Sequence, residues 1–464
     1  MSFTEKFANA YKRILPSPFT IAIVLSILTF LLALIFTKPL DKPIGEYTLD
    51  IAGYWESGLW NSSTGGLYFA FQMMFMLVMG HIIALSKPVD RFIQRILSPC
   101  TTTANTAFIV TLATILVSLF NWGLGLIFGA ILARKVGEKF ARLKQPLNYG
   151  LIGASAYVGL MVWHGGLSGS APIKAGEEGS IKSLVESIGT ATSNSLPSSI
   201  TISETLFSNL NLFVTLVLIL VLPLLMYQVG KRPFKAIQLP QPITIENEEH
   251  EKVDGAERLD SSHYFGRVLG GLILFYAFYK AILLPETFSL KFLDPNFINL
   301  TLLGGALLLH TNISAFLTAA GNAITDATGI LLQFPLYFGI LGIMVGSGLI
   351  GEISDGFVAI STETTFPVLS FLSAGLVNIF VPSGGGQWVV QGPILLTAAQ
   401  EIGASYPKTI MALAYGDQWT NMLQPFWALP LLGITGLKAK DILPYTLLLF
   451  LAGGLIFISA LLLI

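Results

Sequence analysis

The chain has 464 residues, of which 53% are hydrophobic and only 11% charged, with a net charge of −1 at pH 7 and a mean hydropathy of +0.70. Soluble domains carry about 25% charged residues, so this composition excludes an ordinary soluble protein and points to a chain that crosses a lipid bilayer many times. The balanced charge gives no basic surface for nucleic acid, and a single cysteine, Cys100, excludes an intramolecular disulfide or a thiolate metal cluster.

Lys6, Lys12 and Arg13 precede the apolar run Phe19–Phe36. That run is long enough to span, and no small-residue cleavage site follows it, so it reads as a first transmembrane helix rather than a leader. Segments of about 20 apolar residues predict spans at 18–37, 67–86, 149–171, 207–229, 264–284, 297–320, 328–350, 408–437 and 443–463. The 297–320 span is interrupted by His310, Thr311 and Asn312. Two further segments, 106–135 and 366–401, have a polar break in the middle.

Lysine and arginine orient these segments. The basic N-terminus belongs in the cytoplasm. The loop 38–66, with Asp41, Glu46, Asp50 and Glu56 against Lys38 and Lys42, belongs outside. Lys87, Arg91 and Arg95 before segment 106–135, and Arg134, Lys135, Lys139, Arg142 and Lys144 at its end, put both flanks inside. A segment that enters and leaves by one face is a re-entrant hairpin. Arms of about 10–14 residues would reach about 15–21 Å, short of the roughly 30 Å that a crossing needs. The acidic loop 172–206 belongs outside, and the linker 230–263, opening with Lys231, Arg232 and Lys235, inside. No Lys or Arg occurs from 292 to 407, so charge does not orient that region, whereas Lys438 and Lys440 put the end of 408–437 inside.

An internal repeat completes the topology. Gln72 precedes the break at Asn121 by 49 residues, and Gln333 precedes Ser383 by 50. Each hairpin is followed by a broken span, 149–171 and then 408–437. The expected fold is therefore an all-α polytopic membrane protein of about nine spanning helices and two opposed re-entrant hairpins. Residues 1–229 form the first inverted half, 230–263 a cytoplasmic linker and 264–464 the second half. Inverted repeats with broken helices are the architecture of secondary transporters, in which alternating access works around a midplane site.

Broken backbone at membrane depth is tolerated only against protein or a wet cavity, so the breaks are the candidate sites. The stretch Phe380–Gln391 reads Phe-Val-Pro-Ser-Gly-Gly-Gly-Gln-Trp-Val-Val-Gln. Pro382 and three glycines interrupt a helix there. The arm that follows starts a half-helix whose N–H groups and dipole favour an anion. Gly384, Gly385 and Gly386 allow close approach, Ser383 and Gln387 add donors, and Trp388 follows them. Asn121, Trp122 and Gly123 make the equivalent tip in the first half. The alternative is a glycine kink that serves helix packing. No Gly-Lys-Ser/Thr follows, so the stretch is not a nucleotide loop.

Asp417 lies inside a span, at a cost of about 2.5–3.5 kcal/mol on insertion scales. With Asn421, freed carbonyls and Asn121 from the first tip it suits a coupling cation. Na⁺ would take these oxygens as ligands; alternatively Asp417 carries a proton, or simply caps a half-helix. In the first broken span, Ser168 and Ser170 suit a carboxylate or a cation, and His164 could shuttle protons. Trp419, with Trp122, Trp163, Trp388 and Trp427, suits apolar walls, although tryptophan is also an ordinary interface anchor. The breaks themselves contain no Arg or Lys, which fits one substrate carboxylate better than two or three. A small monocarboxylate is the substrate class that the residues suggest.

The motifs Phe380–Pro393 and Ala414–Pro430, with Phe120–Gly125 and Gly165–Pro172, resemble the bacterial short-chain fatty acid transporter family of acetoacetate and butyrate permeases, over nearly the whole chain. The resemblance implies import of short-chain fatty acids across the cytoplasmic (inner) membrane. It also implies membership in the broader ion-transporter superfamily of two-hairpin folds, whose members are often homodimers with a scaffold and a moving transport domain. It implies a carboxylic acid at position 417, glutamate in some members, and glycine in members where this chain has His164. The Ser-Asn-Thr tip signature of the sodium–dicarboxylate relatives is absent, so coupling to H⁺ or Na⁺ stays open. No cofactor is expected, and no enzyme. A passive channel is one alternative. An intramembrane aspartyl protease pairing Asp417 with Asp326 is another, and it needs both catalytic groups to meet.

Overall fold

The structure is a computed structural model that describes residues 17–60, 66–186, 196–234, 237–240, 255–285 and 294–464. Lys6, Lys12 and Arg13, and much of the linker 230–263, lie outside the described residues. Among those described, the regular structure is helical throughout. The first half comprises α1 (Pro18–Phe36), α2 (Ile44–Trp60), α3 (Gly66–Ala84), α4 (Lys87–Leu97), α5 (Thr103–Phe120), α6 (Trp122–Arg142), α7 (Tyr149–Tyr157), α8 (Ser170–Ala175), α9 (Ser180–Glu186) and α10 (Asn209–Gly230). The second comprises α11 (Phe265–Phe278), α12 (Pro295–Leu309), α13 (Ile313–Ile324), α14 (Thr328–Gly346), α15 (Leu349–Val358), α16 (Phe366–Phe380), α17 (Gly384–Ile402), α18 (Tyr406–Thr420), α19 (Pro425–Thr435) and α20 (Ala439–Leu463).

Among the described residues, eight helical segments are long and apolar enough to cross a membrane. Two predicted spans are not among them, for reasons visible in the backbone. The 297–320 segment stops at Leu309 and restarts at Ile313, because the Asn312 side chain accepts from Ala315 N at 2.8 Å and caps a new helix. The 408–437 segment divides into α18 and α19, where Gln424 caps the second piece. The additional one is α5, the first hairpin arm, with 18 residues. Its partner α6 has 21 residues, so both arms exceed the expected length. The apolar part of α6 ends before Arg134, and residues 122–133 reach about 18 Å, as expected.

From α3 and from α14 onward the two halves follow one order of elements, apart from α9, which has no counterpart. A long helix (α3, α14), a short helix (α4, α15), a hairpin (α5–α6, α16–α17), a broken span (α7–α8, α18–α19) and a long helix (α10, α20) follow in the same order. Each hairpin closes on itself. Lys139 near the end of α6 donates to Leu97 O and Cys100 O, just before α5, at 2.7 and 2.9 Å. Phe366 at the start of α16 shares a buried cluster with Leu395, Leu396 and Ala399 of α17.

The two hairpins open at opposite ends of the molecule. The broken span α18–α19 begins beside the open end of the second hairpin, where Tyr406 packs on the Phe366 cluster. It finishes beside the open end of the first, where Arg134 Nη1 donates to Ile434 O at 2.6 Å and Tyr149 OH to Thr435 O at 3.0 Å. A helix that runs from one open end to the other must pass between the two tips.

The second tip differs in detail from the expectation of a break at the glycines. The unwound residues are Val381, Pro382 and Ser383, and Gly384–Gly386 form the first turn of α17. Ser383 caps that turn by accepting from Gly386 N at 3.3 Å. First-turn N–H groups have no intrahelical partner in any case, so the glycines cost less there than in a helix interior.

Candidate substrate and ion site

Both tips and both broken spans converge on one buried cluster. After α7 the first broken span continues as 3₁₀ turns Val158–Met161 and Trp163–Gly165 before α8. The first tip docks on this break: Trp122 N donates to Ser168 Oγ at 3.0 Å, and Leu167 N to Leu119 O at 2.7 Å. The Asn121 side chain caps α6 through Leu124 N at 3.0 Å. The second tip meets the same break from the other side. A Cβ on Gly384 would stand 2.8 Å from His164 Cε1 and from the Trp163 ring, so only glycine lets α17 start so close. The Trp163 ring lies on the His164 ring at 4.3 Å, with 18° between the planes. Trp122 in turn meets Trp427 of α19 at 5.1 Å, so each tip touches the opposite half.

His164 and Asp417 form the centre. Both are buried, at 0% and 1% exposure, and His164 Nδ1 lies 2.7 Å from Asp417 Oδ2. Ala171 N donates to His164 Nε2 at 3.0 Å. A main-chain N–H can only donate, so Nε2 is unprotonated, and the Nδ1–H of the neutral imidazole donates a hydrogen bond to the Asp417 carboxylate. Gln418 clamps the break itself, its Oε1 accepting from His164 N at 2.9 Å and Gly165 N at 3.3 Å. Asn211 of α10 donates to Gly165 O at 2.9 Å and accepts from Tyr415 OH at 3.0 Å.

The second break is held by a different side chain, Asn378 of α16. Its Nδ2 lies 2.8 Å from Asp417 O, 2.9 Å from Thr420 Oγ1 and 2.9 Å from Asn421 Oδ1. Asn421 Nδ2 reaches Leu160 O at 3.3 Å, and its carbonyl accepts from Tyr157 OH at 2.9 Å. Of the oxygens expected to surround a cation, the Asp417 carbonyl and Asn421 Oδ1 face this amide N–H donor, and the Asp417 carboxylate faces His164. Asn121, the third coupling-ion candidate, belongs to the other tip and caps its own helix.

The remaining candidates separate into three groups. Ser168 and Ser170 lie in the first break, Ser170 with its Oγ 3.8 Å from the Cβ position on Gly385. Ser383, Gly384, Gly385 and Gly386 form the opposing turn, and Gly123 packs behind the first tip on Met76. Gln387 is buried, and its Nε2 bonds to Ala374 O at 2.9 Å and Gln391 Oε1 at 2.8 Å, inside the second hairpin. Trp388 and Trp419 are not brought to the cluster. Trp388 lies over Gly392 and lines an open cavity of about 440 Å³ with Lys174, Glu177 and Glu178. The Trp419 indole donates to Phe450 O at 2.7 Å and stacks on Phe450 at 4.1 Å, wedged against α20.

Three contributors went unread in the sequence: Asn378, Gln418 and Lys174. Asn378 is a lone amide in the apolar run 366–380, a signal that was available. Lys174 lies just past the first break, yet its Nζ stands 3.9 Å from the Cβ position on Gly385. A basic residue therefore does reach the start of α17, which the linear sequence conceals.

A family model described as "Short chain fatty acid transporter" matches residues 2–464. A relative from Escherichia coli K12, provisionally named short-chain fatty acid transporter, is 36% identical over 99% of this chain and 98% of its own. One from Haemophilus influenzae, with the same provisional name, is 35% identical over 96% of this chain and 94% of its own. The crystal structure of the YdaH transporter of Alcanivorax borkumensis is similar with a TM-score of 0.39 at 15% identity, covering 96% of this chain and 97% of that one.

Proposed function

From the premise that the chain belongs to the short chain fatty acid transporter family, we propose that it is a secondary active transporter importing small monocarboxylates, of the size of acetoacetate or butyrate, across the bacterial inner membrane. The observation that carries the substrate class is the chemistry at the start of α17. The Ser170 hydroxyl and the Lys174 ammonium lie beside Gly385, and the Ser383 hydroxyl lies at Gly386 in the same first turn, with its N–H groups. One cation with a helix N-terminus matches one carboxylate. The short alkyl part would turn toward the Trp163 ring.

The transport cycle in this reading is alternating access. The two hairpins open at opposite ends, and their tips bear on the same broken spans, so moving one hairpin against the rest would expose the cluster to one side and then the other. Coupling to a cation, H⁺ or Na⁺, supplies the driving force. The basic residues of the N-terminal sequence favour a cytoplasmic position for that end, and assembly as a homodimer rests on the resemblance alone. Purified protein in liposomes should exchange [14C]acetoacetate for internal unlabelled acetoacetate. Butyrate should compete with it, and succinate should not. Equal competition by a dicarboxylate would sink the substrate assignment.

A further inference from the structure

Resting on the monocarboxylate reading above, we propose that the coupling ion is a proton and that the buried His164–Asp417 pair is the site that carries it. Asp417 is 1% exposed, and among the described residues its carboxylate has a neutral imidazole as hydrogen-bond partner rather than a lysine or arginine. An ionised carboxylate so placed leaves the pair with one uncompensated negative charge in a medium where that is costly. Binding a proton removes that cost.

The same geometry disfavours Na⁺. A hard cation needs several oxygens directed at one point. The carbonyl of Asp417, the hydroxyl of Thr420 and the side-chain oxygen of Asn421 do converge, but on Asn378 Nδ2. An N–H donor at the focus excludes a cation from it. Asp417 Oδ2 turns the other way, to His164.

The proton balance is simple. Nε2 of His164 is engaged by Ala171 N–H, so an incoming proton binds the free side of the Asp417 carboxylate, at Oδ1. The pair passes from a charge of −1 to 0, and loss of that proton to the other side restores it. One proton with one monocarboxylate anion moves no net charge. His164 also touches the turn proposed to hold the substrate, its Cε1 2.8 Å from the Cβ position on Gly384. A carboxylate there is repelled by an ionised Asp417 and tolerated beside a protonated one, which links the two loads.

Among the described residues, few titratable groups lie on the elements packed against the pair. Of the elements packed against it, α5 and α16 carry no titratable side chain. α8 contributes Lys174, α18 itself Tyr406, Lys408 and Tyr415, and α17 Glu401 near its far end. α20 contributes Lys440, Asp441 and Tyr445 in its first two turns. The 3₁₀ turn Val158–Met161 has none, although Tyr157 immediately precedes it. The phenols of Tyr157 and Tyr415 are hydrogen-bonded to Asn421 O and Asn211 Oδ1.

Liposomes containing the full chain, with flux through protein-free liposomes subtracted, test this with [14C]acetoacetate. A pH gradient, acid outside, without Na⁺ should drive accumulation that an imposed membrane potential does not change, and a Na⁺ gradient at equal pH should drive none. In Asp417→Asn, accumulation driven by the pH gradient should be lost, and Asp417→Glu should restore it. Binding of acetoacetate to the solubilised wild type, followed with a pH-indicator dye, should take up protons, which needs no variant to fold. Accumulation driven by Na⁺, or by neither gradient, or binding without proton uptake, overturns the proton site and leaves the monocarboxylate reading standing. Absence of protein-dependent counterflow in the wild type overturns that reading itself.

Discussion

Asn378 donates from its side chain to the main-chain carbonyl of Asp417 at 2.8 Å, so the arm of the second hairpin grips the last turn of the helix that bears the buried carboxylate. Gln424 strengthens the grip from the other direction, its Nε2 reaching Ile379 O at 2.8 Å. Replacing Asn378 by leucine, which has the same branching at Cγ, leaves the three acceptors facing an apolar group. Each buried polar atom so orphaned costs about 1–3 kcal/mol. Asn378→Leu should lower the thermal unfolding temperature in detergent and abolish transport. A fully stable Asn378→Leu protein would show that the break does not depend on this amide.

Adjacent glycines should respond differently to the same change. At Gly384 a Cβ would stand 2.8 Å from both the His164 and Trp163 rings, and forcing these apart should cost about 1–3 kcal/mol. At Gly385 the nearest atoms are 3.8 to 3.9 Å away and are the Ser170 side chain and Lys174 Nζ. Gly384→Ala should therefore reduce stability and transport together. Gly385→Ala should fold normally and raise KM, because its methyl group projects where the substrate carboxylate would sit. Identical behaviour of the two variants would remove the distinction.

Gly416 allows α16 and α18 to touch backbone to backbone, since a Cβ there would collide with Phe371 O. Backbone cannot yield as a flexible side chain can, so Gly416→Ala should separate the helices and displace Asp417. A loss of about 1–3 kcal/mol is expected, read as a lower unfolding temperature. An unchanged unfolding temperature would mean that the crossing relaxes at no cost.

How far the sequence discloses the site depends on which signal carried each residue. Breaks announce themselves: Pro382, the three glycines and Asn121-Trp122-Gly123 are local irregularities in apolar runs, and each lies at or beside a tip. The direction of a side chain has no such mark. Asp417 and Trp419 are two residues apart on one helix, yet the carboxylate meets His164 while the indole meets Phe450. A helix turns about 100° per residue, and no local pattern says which face meets the other half. Partners across the repeat, such as His164 to Asp417, are likewise a property of the fold. Trp419→Phe tests the assignment: it should cost about 0.5–1.5 kcal/mol of stability through the lost hydrogen bond and leave KM unaltered. A large rise in KM would return Trp419 to the site.

Among the described residues, Lys174 is a basic side chain that the fold carries to the start of α17, and its position makes a graded prediction. It is exposed and borders the open cavity with Glu177 and Glu178, so water and salt screen its charge. Loss of an exposed charge partner has modest effects, so Lys174→Gln should raise KM for acetoacetate about two- to fivefold, with a smaller difference from wild type at high ionic strength. Lys174→Arg keeps the charge on a longer, planar group and should retain most of the affinity. The KM effect should exceed the kcat effect, because a contact made at the mouth of the site acts on binding before any conformational step. A fall in kcat at constant KM would instead tie Lys174 to the movement of the hairpin, and equal loss in Lys174→Arg would show that shape rather than charge matters there.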